Sequence, residues 1–139
     1  MKLEHANLTV SSVEKGIHFL KAAFPEFKVR GQGEAGEGAN HRKWVHFGTD
    51  STYVSLEELT VPPEPPIRHP YFHPGINHLC FEVENLDEVQ ERLATAGYPA
   101  GPAPKEKFRK RIYVHDHLGN EWEFVEYLSK DPAQRNLYE

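Results

Sequence analysis

His5-Ala-Asn-Leu-Thr-Val10 and His78-Leu-Cys-Phe-Glu-Val83 read as one strand written twice. Each opens on a histidine, closes on a valine and alternates with the period of two that marks a half-buried strand. The residues beyond each strand keep the same offset. Ser12 matches Asn85, and both residue types cap helices because their side chains accept from the first free helix N–H groups. Val13, Gly16 and Leu20 match Leu86, Val89 and Leu93, an i, i+3, i+7 stripe with helical period. Phe24-Pro25 and Gly97 supply the stop signals.

Each predicted helix leads into a polar stretch rich in Gly or Pro, residues 31–40 in the first half and 99–104 in the second. A hairpin then appears in both halves. Trp44-Val-His-Phe47 turns through Gly48-Thr-Asp-Ser51 into Tyr53-Val-Ser-Leu56, and Ile112-Tyr-Val-His115 turns through residues 116–120 into Trp122-Glu-Phe-Val125. Two β-α-β-β-(β) units therefore follow one another: module one over about residues 1–60 and module two over about 75–128. The proline-rich stretch 61–74 reads as a stiff linker, and residues 129–139 as a C-terminal arm. The whole reads as one domain, residues 1–139.

Composition excludes several function classes. Hydrophobic residues at 38% and charged residues at 27% describe a globular protein with a core. A net charge of -5 opposes nucleic-acid binding, since phosphate repulsion would go unanswered. No apolar run approaches the ~20 residues of a membrane span. Met1-Lys2-Leu3-Glu4-His5 lacks the apolar core of a signal peptide. The single cysteine, Cys80, allows no intrachain disulfide and fits a reducing, cytoplasmic compartment. Nine histidines in so short a chain point toward metal or acid–base chemistry, although position must decide.

Strand alternation supplies those positions. Ala6, Leu8 and Val10 form an apolar face for the helix, so His5, Asn7 and Thr9 point to the open side. The repeat puts His78, Cys80 and Glu82 on the matching face. In the last strand Trp122 and Phe124 face the core, so Glu121, Glu123 and Val125 point the open way. Two histidines and a central-strand glutamate then face one concave surface. A glutamate flanked by Trp and Phe is costly there unless something binds it, and a divalent metal would. Cys80 reads as a buried packing thiol.

The motifs His5-x-x-Leu-x-Val with its Ser-x-x-Glu-Lys helix start, Gly75-Ile-Asn-His78-Leu-x-Phe-x-Val and Asp116-x-x-Gly119-Asn120-x-x-Glu123-Phe124 resemble the vicinal-oxygen-chelate superfamily. That group includes glyoxalase I, extradiol dioxygenases, and fosfomycin- and bleomycin-resistance proteins. The resemblance runs from His5 to about Tyr127. It implies an α+β fold, two tandem βαβββ modules forming a cupped mixed sheet with helices on the outer face. It also implies a metal held from the first and last strands of the modules, which by position are His5, His78 and Glu123. At the fourth family position this chain has Ser55, a poor ligand, with Glu57 one pleat further along the same face.

A His/His/Glu triad with open positions suits Fe or Mn more than Zn or Ni. The resemblance thus implies a divalent-metal-dependent enzyme, a dioxygenase, lyase or transferase, acting on a small substrate chelated through vicinal oxygens. Glu57, Tyr53, His46 and His115 are candidates for moving a proton, by strand facing alone. The alternative is a metal-free protein of the bleomycin-resistance kind that sequesters a small molecule in the same cup. A homodimer is expected from the resemblance, with neither nucleic acid nor membrane as partner.

Three remaining features carry weaker readings. Lys105-Glu-Lys-Phe-Arg-Lys-Arg111 is a solvated basic loop leading into a strand, or a guide for anionic substrates. The glycines at 31, 33, 36 and 38 suggest a flexible flap and not a phosphate loop, since no strand-to-helix junction follows. His69 and His73 read as structural or exposed, and His117, in the turn before Gly119, as solvated.

Overall fold

The computed structural model describes residues 3–61 and 71–137. Most of the proline-rich linker lies outside them. The chain forms two compact units, Met1–Ile67 and Arg68–Glu139. The first runs β1 (His5–Thr9), α1 (Val13–Ala23), β2 (Lys28–Ala35), a 3-10 turn (Gly38–Asn40), β3 (Arg42–Gly48) and β4 (Tyr53–Leu59). Its sheet has the order β1-β4-β3-β2, with β1 parallel to β4 and the other pairs antiparallel. The second runs β5 (His78–Glu82), α2 (Leu86–Thr95), β6 (Arg109–His115), β7 (Glu121–Tyr127) and a short α3 (Pro132–Arg135). Its sheet is ordered β5-β7-β6, with β5 parallel to β7. The architecture is α+β, with the repeated strand–helix–hairpin plan anticipated from the sequence.

The repeat extends to the hydrogen bonds that start each helix. Ser12 Oγ accepts from Lys15 N at 3.2 Å, and Asn85 Oδ1 accepts from Glu88 N at 3.2 Å. Such caps satisfy one of the orphan donors of the first turn and contribute about 1 kcal/mol each. α2 ends at Gly97, whose φ of 92° is the left-handed conformation that lets Tyr98 N reach back to Leu93 O at 2.8 Å. α1 packs on β3 and β4, and α2 on β6 and β7. The two cores follow from the apolar faces: Phe19, Leu20, Val45, Phe47, Val54 and Leu56 in one unit, and Val89, Leu93, Ile112, Val114, Trp122 and Phe124 in the other.

One expectation changes. The glycine-rich stretch is no flap over its first half, because residues 28–35 are the strand β2, paired along β3. The reason is Trp44. Its ring lies across the glycines opposite, and a Cβ on Gly33 would sit 3.1 Å from the indole. The glycines make room for a tryptophan, and the tryptophan covers the weak strand. Residues 99–104, read from the sequence as a polar stretch, form no strand. Pro99, Pro102 and Pro104 cannot donate to a ladder, and only Gly101 N bonds β6, to Tyr113 O at 2.9 Å. The second sheet therefore has three described strands where the first has four.

The C-terminal arm is tied to its unit. Asp131 caps α3 by accepting from Ala133 N at 2.9 Å, and Arg135 pairs with Glu82 at 2.7 Å while lying 3.9 Å over the Tyr127 ring.

Candidate functional site

In the first unit, β1 and β4 pair in a register that sets His5 beside Tyr53, Asn7 beside Ser55 and Thr9 beside Glu57. His5, Asn7 and Thr9 are exposed, as the alternation requires. The rings then form a row across the sheet. His5 stacks on Tyr53 at 4.7 Å, Tyr53 lies 4.6 Å from His46, and His46 lies 4.9 Å from Trp44. A β-bulge between Val29 and Gly31 puts the Arg30 guanidinium 4.3 Å over Tyr53. Glu57 is held at the far end, with Arg42 Nε 2.9 Å away and Asn7 Nδ2 donating at 3.2 Å.

The second unit repeats the register, with His78 beside Glu121 and Cys80 beside Glu123. Ser55 therefore occupies in the first unit the place that Glu123 occupies in the second, and it is 2% exposed. His78 Nε2 lies 3.0 Å from Glu123 Oε2, and its other nitrogen, Nδ1, lies 3.5 Å from Glu121 Oε1. The two carboxylates thus take opposite sides of one imidazole. Arg111 Nη1 stands 3.8 Å from the second Glu123 oxygen and also donates to the Tyr113 hydroxyl at 3.3 Å. The Tyr71 hydroxyl donates to Glu121, and His115 Nε2 lies 3.6 Å from the same carboxylate.

Burial and these carboxylates together raise the neighbouring acids. Cys80 keeps solvent exposure as a residue, but burial around its sulfur pushes the thiol up to about 12, and the Glu123 charge adds to the shift. Tyr71 is also raised to about 12, by its hydrogen bond to Glu121 first. Tyr113 is raised by burial and then by Glu123. All three are held toward their protonated forms, so this face offers hydroxyl and thiol donors.

Of the residues singled out in the sequence, the fold brings His78 and Glu123 into contact, and likewise Tyr53, His46 and His5. His5 belongs to one unit, His78 and Glu123 to the other. Among the described residues, no three His, Cys, Asp or Glu side chains are gathered so as to hold a metal. Glu57 is engaged with Arg42 and Asn7, and His115 is exposed at the end of β6.

Four smaller expectations change. Cys80 is exposed as a residue and not packed into the core, although its sulfur is partly covered. Val125 is buried at 7% although its strand position faces the open side. The ring nitrogens of His117 are withdrawn from solvent, with no hydrogen-bond partner among the described residues. The basic segment is not one solvated loop. Arg109, 9% exposed, bonds Glu106 through Nε and Nη2 at 3.0 Å each, and Arg111 Nε lies 3.0 Å from the same carboxylate. Tyr71, Glu121 and Arg111 complete the environment of His78 and Glu123 without having been assigned a role there. Alternation marked Glu121 as facing the open side, whereas nothing local marks Tyr71, which comes after a proline run.

Comparison with known proteins decides the family. The model of the Glyoxalase/Bleomycin resistance protein/Dioxygenase superfamily matches residues 2–124. The chain belongs to this superfamily. Superfamily structures share its fold at low sequence identity. A glyoxalase family protein from Bacillus cereus is 19% identical with a TM-score of 0.76, covering 93% of this chain and 95% of its own. A glyoxylase/bleomycin resistance protein/dioxygenase domain from Frankia sp. is 20% identical with a TM-score of 0.75, covering 99% and 98%. The fosfomycin resistance protein FosX from Listeria monocytogenes is 19% identical with a TM-score of 0.68, covering 97% and 98%. A mutant of that Listeria protein has been solved with Mn(II) and 1S,2S-dihydroxypropylphosphonic acid; it is 19% identical with a TM-score of 0.62, covering 98% of each chain.

Proposed function

We propose that the protein is a divalent-metal-dependent enzyme of the superfamily, acting on a small substrate through two neighbouring oxygens. His5, His78 and Glu123 would hold the metal. The observation that carries this reading is the 3.0 Å approach of His78 Nε2 to Glu123 Oε2 on the open face of β5 and β7. A ring nitrogen and a carboxylate oxygen meet there, and a proton or a cation between them makes the contact attractive. The donors fit a borderline or hard metal, one imidazole nitrogen and one carboxylate oxygen, with His5 at the repeat-equivalent register position adding a second imidazole. Mn or Fe suits that set best, and the Mn(II) complex of the Listeria relative supports the choice. The metal would supply Lewis acidity toward the substrate oxygens.

The chain's own residues bind and move protons. Tyr53 and His46, with Arg30 beside them, offer a ring surface and a cation for a substrate carrying an anionic group. Tyr113, protonated at neutral pH, can donate to a substrate oxygen. His115 is exposed at the end of β6, and Glu57 serves mainly to fix Arg42. A homodimer in the cytoplasm completes the proposal, and a free Cys80 fits a reducing setting.

One observation favours a second reading. The Arg111 guanidinium already faces the Glu123 carboxylate at 3.8 Å without a metal, as a small-molecule binding protein would require. The test is to purify the protein without a histidine tag and measure bound metals by plasma mass spectrometry, beside His5→Ala and Glu123→Ala. Near-stoichiometric Mn or Fe in the wild type, lost in both variants, is the expected result. An unmodified protein that takes up no metal even after reloading would sink the enzyme reading and leave the binding protein. Sedimentation velocity would check the dimer on the same sample.

A further inference from the structure

We infer that Glu121, backed by the Tyr71 hydroxyl, is a positioning residue that grips His78 by Nδ1 and so aims Nε2 at Glu123. This rests on the metal reading above and adds a residue to it. The register makes the grip possible. β5 and β7 run parallel with His78 directly beside Glu121, so a side chain on the same face reaches the ring edge nearest its own strand. Glu121 Oε1 lies 3.5 Å from Nδ1, and the Tyr71 oxygen lies 3.4 Å from the same nitrogen while donating to that same carboxylate oxygen. The second oxygen of Glu121 faces His115 Nε2 at 3.6 Å. Tyr113 meets the His78 ring edge-on at 5.8 Å.

A histidine that binds a metal through one nitrogen commonly gives its other N–H to a carboxylate, which fixes the tautomer and the ring plane. Glu121 has the attributes of that carboxylate. It is only 15% exposed, it sits on a central strand, and the tyrosine limits its rotation. Without it, the ring could turn and offer Nδ1, or carry its single proton on the nitrogen that faces Glu123. The first unit carries the same device with different residues. His5 Nδ1 meets Glu4 Oε2 at 2.5 Å, and its ring plane is set by stacking on Tyr53 at an interplanar angle of 12°. Tyr53 holds in the first unit the register position that Glu121 holds in the second. In both units, then, a carboxylate faces Nδ1 of the repeat histidine.

The test compares wild type, Glu121→Gln and Tyr71→Phe by two readouts. The first is the Mn(II) dissociation constant from the free-ion spin-resonance signal. The second is the downfield His78 Nδ1–H proton resonance, read in metal-free and zinc-loaded protein. Circular dichroism and the urea midpoint establish that each variant is folded. Glu121→Gln is expected to weaken Mn(II) binding by about ten- to a hundredfold and to lose or broaden the Nδ1–H resonance. Tyr71→Phe is expected to weaken binding less and to keep the resonance. Mn(II) affinity within about twofold of wild type in Glu121→Gln, with the resonance intact, would overturn the positioning role while the metal reading stands. A wild type that binds neither Mn(II) nor Zn(II) would remove both.

Discussion

Glu126 Oε2 accepts the backbone N–H of Leu86 at 2.8 Å, tying the last strand of the second unit to the first turn of the helix packed on it. Glu58 does the same for Val13, also at 2.8 Å. The first N–H groups of a helix have no intrahelical partner and carry partial positive charge, so a carboxylate there is a favourable acceptor. Glu126→Ala should destabilise the protein by about 1–2 kcal/mol, and Glu126→Gln, which keeps an acceptor, by less. Glu58→Ala should cost a similar amount. Urea unfolding of the three variants checks this; an unchanged midpoint in Glu126→Ala would show that the bond contributes nothing.

Gly16 lets α1 lie close against β4, and a Cβ there would come 2.8 Å from Leu56 Cδ1. Leu56 is 1% exposed, so its side chain has little room to yield. The matching position in the second unit is Val89, so it is the close approach of Leu56, and not the repeat, that demands the glycine. Gly16→Val should destabilise by about 1–3 kcal/mol through overpacking. In Gly16→Ala the gain in helix propensity, about 1 kcal/mol, offsets part of the clash, so the loss should be smaller. Thermal unfolding of both variants reads the difference.

The repeat was the legible part. His5 with His78, Ser12 with Asn85 and Glu58 with Glu126 hold equivalent places because each belongs to a strand or helix whose period shows in the sequence. Ser55 was likewise legible as the counterpart of Glu123, since strand pairing preserves the alignment. The features that sequence reasoning missed depend on contacts between strands. The β2 glycines read as a loop, because Trp44, which covers them, comes from the next strand. Arg109 and Arg111 read as solvated, because the segment's own Glu106 claims both only after the chain turns. The role of Tyr71 depends on Glu121, fifty residues further along, and no local pattern reports it.

Cys80 should be a slow thiol. Burial and then the Glu123 carboxylate push it up to about 12 from an ordinary value of 9.0, so at pH 8 almost none is thiolate. In protein treated with a chelator, alkylation by iodoacetamide at pH 8 should run at least about tenfold slower than for an unhindered thiol. Glu123→Ala should speed it. The linkage has a definite sign. The native state keeps this proton above pH 9.0, where the unfolded chain releases it, so stability is unaffected below that pH and falls above it. Wild type should therefore lose more stability between pH 8 and 10 than Cys80→Ala does. Equal losses would show that the thiol titrates normally.

Ser55 offers a direct experiment on the metal reading, because it stands where Glu123 stands in the other half and is 2% exposed. Ser55→Glu would put a carboxylate into a closed position bordered by Asn7 on β1 and His46 on β3. An unpaired charge so placed is expensive, and the metal-free variant should lose more than about 2 kcal/mol of stability. If divalent metal binds the open faces as proposed, the added carboxylate becomes a fourth ligand donor, and metal should restore more stability to the variant than it adds to the wild type. Zn should benefit more than Mn, because a closed four-donor set suits tetrahedral coordination. Thermal shifts with each metal, measured beside Ser55→Ala, separate the outcomes. A Ser55→Glu protein that is destabilised and gains nothing from any metal would place Ser55 away from the bound ion.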